Sequence, residues 1–418
     1  MWSQHRDNPN DYTVDCDTPL EAKRRFLFVF TVKGLLPMTT VYLDHSATTP
    51  VDPRVLEAMI PYFTQSFGNA SSGHGIGRAA DKAIENARET IANVLNCRPS
   101  EIVFTSGGSE SDNIAVRGAA WGARERGKHL ITTPIEHGAV GKTVEQLVAA
   151  QGFTSTVLPV DQTGLVSPVD FLSACRPDTT FASIIYANNE VGTVQPIREL
   201  AALAHAHGIL FHTDAVQAAG QLTLNVQKLG VDLLSISGHK FYGPKGVGAL
   251  YVREGVTLLT PQTGGSQEFG LRAGTHNTPS IVGLAEALKL AYADLEARTA
   301  HYAALRTRLI GEVLRAIPGA VLTGHPIQRL PSHASFVFTS SLHENLLAYL
   351  DERGIAASAA SACKAGSAKP SSVLLALGYD PDVAARSLRL TVGLHTTPED
   401  IAYAVDTLKD LLRLAQTA

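Results

Sequence analysis

The sequence predicts an α/β fold with a mostly parallel sheet, and three observations predict it. From Met38 onward, short apolar runs alternate with amphipathic stretches, as βα units require. Polar clusters gather just past the ends of the apolar runs, where open parallel sheets place their ligand sites. The chain also has 418 residues, 44% of them apolar and 18% charged, which is globular rather than disordered composition. That length allows two or three domains at roughly 150 residues each, with a core large enough to need no disulfides.

The first 37 residues differ from the rest. Phe26-Leu-Phe-Val-Phe-Thr-Val32 is an apolar burst behind Lys23-Arg24-Arg25. This order resembles a signal peptide, but the run is short and no small-residue cleavage site follows. Asp7, Asp11, Asp15, Asp17 and Glu21 argue against a transit peptide. The reading that remains is an upstream extension or start-site artefact, with Met38 as the functional start.

The strands follow in order. Glu101-Ile-Val-Phe104 stops at Thr105-Ser-Gly-Gly108, and His129-Leu-Ile-Thr132 comes next. Phe181–Tyr186, Gly208–His212, Val231–Ile236 and Gly246–Val252 complete a sheet of six or seven strands. Helical periodicity spans Ala79–Leu95, Asp112–Arg124, Lys142–Ala150 and Ile197–His207, with Gly208 where a helix end wants a left-handed residue. After Thr278, long Ala/Leu/Arg helices run through Ile317, and a smaller α/β unit closes the chain.

Charge and cysteine usage exclude several function classes. There are 35 Lys+Arg against 39 Asp+Glu, a net charge of −4 without a basic stripe, which argues against direct nucleic-acid or membrane partners. Cys16, Cys97, Cys175 and Cys363 lie far apart without CxxC spacing, as in a reducing compartment, and the expected location is the cytoplasm. No apolar run reaches the roughly 18 residues of a membrane helix.

Three polar motifs carry the chemistry, each with a plainer alternative. Thr105-Ser-Gly-Gly-Ser-Glu-Ser-Asp112 joins a strand to a helix, so free N–H groups and Ser109 could hold a phosphate, or it is an ordinary capped turn. It is not a Walker loop, and Gly73-His-Gly-Ile-Gly77 misses the dinucleotide spacing. Asp214 leaves a buried strand, where a carboxylate needs a cation such as a protonated heterocyclic nitrogen, or else serves as a cap or ion pair. Lys240, in Ser235-Ile-Ser-Gly-His-Lys-Phe-Tyr-Gly-Pro-Lys-Gly246, is placed for partial desolvation and Schiff-base chemistry, with Ser237 and His239 beside it; a surface lysine is the alternative. His205, His207 and His212 suggest a metal, but residues two apart on a helix diverge, and no metal is expected. An amine for an imine, an acid for a pyridinium and a phosphate cup together are the parts of a pyridoxal phosphate enzyme.

At this level of detail the chain resembles the IscS/NifS-type cysteine desulfurases, in the class-V aminotransferase branch of fold-type-I pyridoxal phosphate enzymes. The resemblance runs from about Val41 to Leu412. It rests on Tyr42-Leu-Asp-His-Ser-Ala-Thr-Thr-Pro50, Phe104–Asn113, Asn188-Asn-Glu-Val-Gly192, Ser237-Gly-His-Lys240, Arg272-Ala-Gly-Thr275 and Ser361-Ala-Cys363. It implies pyridoxal 5'-phosphate as cofactor, with Lys240 as the Schiff-base lysine that also moves protons at the substrate Cα. It implies that Asp214 keeps the pyridine nitrogen protonated, that His137 stacks on the ring and acts in acid–base steps, and that Gln217 and Asn189 contact the phenolic side. Gly108, Ser109, Ser237 and His239 match the phosphate cup, with Thr275 supplied by the neighbouring subunit of a homodimer. Arg389 matches the arginine that grips the carboxylate of L-cysteine, a job suited to a guanidinium fork.

Cys363 decides the reaction class. In the Ala/Ser-rich run Ala356–Ala362 it could be merely a small residue. The resemblance makes it the nucleophile that takes sulfur as a persulfide and leaves alanine, on the loop Lys364–Pro370, before transfer to an acceptor protein for iron-sulfur cluster assembly or for nucleic-acid or cofactor thiolation. Cys97 and Cys175 match no catalytic position. The implied division is an extension at 1–37, a segment at 38–52 near the small domain, a large cofactor domain at 53–298 and a small domain at 299–418.

The chain also departs from the pattern. Phe269 and Leu394 stand where arginines are common, Ser109 replaces a threonine, and Ala359-Ala360 dilutes a Ser-Gly pair. Selenocysteine lyase or cysteine-sulfinate desulfinase activity would share Lys240 and Asp214. A class-V aminotransferase would have no use for Cys363, and a degenerate scaffold would have lost the catalytic residues.

Overall fold

The computed structural model describes residues 40–339, 346–359 and 370–417. The N-terminal extension, Met38 and Cys363 with its immediate flanks lie outside the described residues. Val41–Ala418 forms one compact unit.

Among the described residues, twelve strands occur in chain order: β1 Val41–Tyr42, β2 Ile102–Thr105, β3 His129–Thr132, β4 Thr154–Val157, β5 Thr179–Ser183, β6 Leu210–Asp214, β7 Leu233–Ser237, β8 Gly248–Val252, β9 Ala320–Leu322, β10 His333–Phe338, β11 Ile355–Ala356 and β12 Ser387–Thr391. Seven of them form the main sheet in the order β2-β8-β7-β6-β5-β3-β4. The run from β7 to β4 is parallel, and β8 is antiparallel to both of its neighbours. The mostly parallel seven-stranded sheet expected from the sequence is therefore present.

Two of its details were not. β4 sits at the sheet edge, and Thr154-Ser-Thr-Val157 is mostly exposed, so it carries no apolar run for a sequence pattern to detect. β6 runs two residues further than Gly208–His212, which makes Asp214 its last residue.

Side chains alternate across this sheet with period two. Ile102, Phe104, Ile131, Ala182, Phe211, Leu234 and Ile236 enter one apolar cluster. Val103, Leu130, Phe181, Leu233 and Leu250 enter another on the opposite face. Helices cover both faces. The longest on the first side, Gly75–Leu95, buries Ala80, Ala83, Ile84, Ala87, Ile91 and Leu95 at helical spacing and ends at Asn96 in the left-handed conformation. Gly208 likewise follows its helix at φ 68°, where a Cβ would be strained.

A separate core lies over the antiparallel sheet β12-β10-β9. It joins Leu305, Leu309 and Val313 of the helix Leu295–Ala316 to Phe336, Leu388 and Leu390 from the strands and to Ile401, Val405 and Leu408. Val41 and Leu43 belong to this core, and β1 pairs in parallel with β11. The chain then passes from β1 to the carboxyl ends of the main sheet.

One buried ion pair ties the edge strand to the loop after β8. Arg88 donates from Nη1 and Nη2 to both carboxylate oxygens of Glu268 at 2.8 Å, and Glu268 also accepts from the Phe104 N–H and pairs with His276 at 2.6 Å. Burial alone would raise the Glu268 pKa, but the bonds from Arg88 and His276 outweigh it and hold the carboxyl at about 2. Breaking a buried pair from one side costs about 3–5 kcal/mol. Arg88→Met is therefore expected to lower the urea midpoint without changing the slope. Because the Glu268 pKa is depressed from its ordinary 4.5, the stabilisation is complete above that pH and disappears as pH falls toward 2. The difference between wild type and Arg88→Met should narrow over that window.

Candidate active site

The carboxyl ends of β5, β6 and β7 and the start of the helix Gly108–Gly122 enclose a crevice of about 300 Å³. A larger hollow of about 950 Å³, beside Gln221–Thr223 and Tyr292–Ala300, contains none of the expected residues. The crevice contains Gly108, Ser109, His137, Asn189, Asp214, Gln217, Ser237, His239, Lys240 and Arg389. Ten of the twelve residues singled out in the sequence thus converge. Cys363 lies outside the described residues, and Thr275 is exposed on the loop after Glu268 and does not line this chain's crevice.

Local structure explains each placement. Asp214 is carried to the rim by β6, a strand buried along nearly its whole length. Its carboxylate is itself buried and accepts from the Val216 N–H at 2.9 Å. Burial raises its pKa, while His137 and Lys240 pull it back. Lys240 ends the short 3-10 turn after β7. Its Nζ donates to the carbonyls of Ser46 and Ala47, the latter at 2.9 Å. His137 caps the helix Gly138–Gln151, its Nδ1 accepting from the Ala139 N–H at 3.2 Å. Gln217 Nε2 donates to the Ser46 carbonyl at 2.9 Å.

The helix Gly108–Gly122 starts at Gly107, which has φ 149° and offers no side-chain cap. The capped-turn alternative is therefore not what the chain adopts, and the first-turn N–H groups meet no capping side chain. A Cβ on Gly108 would lie 2.7 Å from Val216 Cγ2, so the close approach needs glycine. His239 meets the Thr48 hydroxyl at 3.2 Å, and burial, aided by Lys240 and Lys245, lowers its pKa to about 4. It is neutral at pH 7.

Arg389 reaches the crevice from β12. Its side chain is only 2% exposed; Nη2 pairs with Asp44 Oδ1 at 2.7 Å, and Nη1 donates to the Asn189 carbonyl at 2.9 Å. Nε is buried without a partner among the described residues.

Other features fall away from the crevice. His212 is buried between the Ser183 and Ser235 hydroxyls, and His205 pairs with Asp232, so these two histidines do not share a ligand site. Burial raises the thiol pKa of Cys97 to about 12 and also raises that of Cys175. Phe269 is exposed at φ 58°, its ring 5.1 Å from the Arg88 guanidinium. The Leu394 N–H donates to Tyr242 Oη, and its side chain packs on the second core. Neither side chain lines this chain's crevice.

The sequence reading missed Asp44, Ser46, Asp112 and Glu136. The first three stand inside recognised motifs, and Glu136 sits beside His137. Only their partners, distant in sequence, reveal what they do.

The residues fit a phosphorylated pyridine. A buried carboxylate needs a cation, the glycine cradle at an uncapped helix end suits a phosphate, and the lysine amine lines the same crevice. Residues 41–403 match the aminotransferase class-V family model. A cysteine desulfurase IscS from Methanosarcina thermophila is 48% identical over 373 residues, covering 89% of this chain and 92% of the relative. Among solved structures, a NifS-like protein has TM-score 0.84 at 37% identity, covering 90% of this chain and 100% of that one. A structure described as SspA in complex with cysteine has TM-score 0.75 at 38% identity, over 86% and 100% of the two chains.

Asp214→Asn separates binding from folding. The apoprotein is expected to melt at the same temperature or higher, because an ionisable group leaves a dry site. Cofactor affinity, read by absorbance titration, should fall about tenfold or more, the equivalent of about 1.4 kcal/mol.

Proposed function

The chain belongs to the class-V aminotransferase family and is a pyridoxal phosphate-dependent cysteine desulfurase of the IscS/NifS type; we propose that Lys240, Asp214 and His137 serve its cofactor, Arg389 its substrate and Cys363 the sulfur. The observation that carries this division is the convergence of Lys240, Asp214, His137 and Arg389 on one crevice.

Pyridoxal 5'-phosphate, when bound, supplies an electron sink conjugated to the substrate Cα. Asp214 keeps a proton on the ring nitrogen, and its burial makes that pairing strong. Lys240 holds the cofactor through its amine and moves the proton at the substrate Cα. His137 covers the ring and assists proton transfer. Gln217 and Asn189 would hold the phenolic side of the cofactor, and Gly108, Ser109, Ser237 and His239 would hold its phosphate. Arg389 binds the L-cysteine carboxylate, orienting the amino acid beside Asn189. The Cys363 thiolate attacks the substrate sulfur; the persulfide S–S bond forms as the substrate Cβ–S bond breaks, the bonding pair stays on Cβ and takes up the proton the substrate thiol gives up, and the amino acid is released as alanine.

The working form is a homodimer. Leu56, Ile60, Phe63 and Phe67 are each at least half exposed along one short stretch, an apolar surface that a second copy would cover. In that dimer, Thr275 completes the partner's phosphate cup. The two cores support a large domain at 53–298 and a small one at 299–418. Sulfur then passes to an acceptor protein in the cytoplasm, in iron-sulfur cluster assembly or a thiolation pathway. Among the described residues no helix is long and apolar enough to cross a membrane.

The test is alanine and sulfide release from L-cysteine with reductant. Wild type should release both in equal amounts, Lys240→Ala neither, and Cys363→Ser at least about a hundredfold less, since a positioned nucleophile is lost. Alanine released equally well without Cys363 would overturn the persulfide route. Selenocysteine or cysteine sulfinate turned over faster than cysteine would overturn the substrate assignment.

A further inference from the structure

Three carboxyl groups are buried around the floor of the crevice. Asp214 ends β6, Glu136 precedes His137, and Asp112 lies in the second turn of the helix Gly108–Gly122. Glu136 Oε1 accepts from Thr133 Oγ1 at 2.7 Å and from the Ile185 N–H at 2.8 Å, while its Oε2 is buried without a partner among the described residues. Asp112 is 1% exposed, and its Oδ1 likewise has no hydrogen-bond partner among the described residues, but unlike Glu136 it lines the crevice itself. A carboxyl oxygen of Asp112, one of Asp214 and a ring nitrogen of His137 all lie within 4.8 Å of one another.

The surroundings offer Asp112 little to balance a charge. The His212 Nε2 lies 3.7 Å from Oδ1, beyond hydrogen-bond reach. That ring is spent on the Ser183 and Ser235 hydroxyls, at 2.8 and 3.0 Å, and burial lowers its pKa to about 3. Among the described residues, the Ser235 hydroxyl is the donor toward the carboxyl. Asp214 and Glu136 are themselves acids. His137 and Lys240 act on Asp214, where the ring nitrogen would also come, whereas Asp112 faces the acids Asp214 and Glu136, and two carboxyls this close in a dry site cannot both ionise.

We propose that Asp112 is a positioning residue held as a neutral carboxylic acid, so that the single negative charge of the pair rests on Asp214 opposite the ring nitrogen. This rests on the assignment of Asp214 to that nitrogen. Burial, and after it the charge of Asp214, holds the Asp112 carboxyl well above the usual carboxylate range. A neutral acid adds no second negative charge beside the Asp214 carboxylate, which an ionised one would.

Asparagine copies a neutral aspartic acid in shape and polarity. In apoprotein titrated with pyridoxal phosphate, Asp112→Asn is expected to stay within about threefold of the wild-type dissociation constant, while Asp214→Asn weakens it about tenfold or more. If both variants weaken binding tenfold or more, Asp112 carries charge in the wild type and the proposal fails. If Asp214→Asn binds as wild type, the assignment of Asp214 fails and takes the proposal with it. Infrared spectra of wild-type holoenzyme labelled with carboxyl-13C aspartate read the same point without a variant. A protonated, label-shifted carboxyl band at neutral pH is expected, and its absence would overturn the proposal.

Discussion

The segment Asp44–Thr49 holds the two halves of the site together. It leaves β1, which packs in the second core, and crosses the carboxyl ends of the main sheet. Its Ser46 and Ala47 carbonyls accept from Lys240, and the Ser46 carbonyl also accepts from Gln217. On the other side, Asp44 pairs with Arg389, and the Ser46 N–H donates to the Thr391 hydroxyl. Hydrogen bonds to charged groups contribute about 1.5–3 kcal/mol each. A few such bonds suffice to keep Lys240 on one core in register with Arg389 on the other. Ser358 joins the same unit, its hydroxyl donating to Asp44 Oδ2 at 2.8 Å. The chain that leads toward Cys363 is thereby anchored at the arginine.

Charge is rationed around the crevice. His239, His212 and His333 are all pushed to pKa values of about 4 or below by burial, so their rings are neutral hydrogen-bonding groups at pH 7. Glu136 rises to about 8 for the same reason and is a neutral acid there. The charged groups that remain along the crevice are Asp214, Lys240 and Arg389, the last paired with Asp44. In a dry pocket each is worth more than in water, because no solvent competes.

Much of this was legible in the sequence, for a physical reason. Lys240 and Asp214 follow apolar runs long enough to be buried strands, and a charged residue at such an end must meet a partner. The strand and helix cores were legible from their periodicity, as in Gly75–Leu95. β4 was not, because an edge strand of hydroxylated residues has no apolar signature. Asp112 was hidden by its position, since an acid near a helix start reads as support for the helix dipole. Asp44 and Ser46 were hidden by distance: their partners at Arg389 and Thr391 lie 345 residues away, and no local pattern encodes such a pair.

The account stands or falls on sulfur moving to one thiol. The direct measurement is a single turnover with one equivalent of L-cysteine, without acceptor or reductant, followed by mass spectrometry of the peptide containing Cys363. The account predicts one added sulfur atom on Cys363 for each alanine formed, with none on Cys97 or Cys175. Alanine formed with Cys363 unmodified would contradict it.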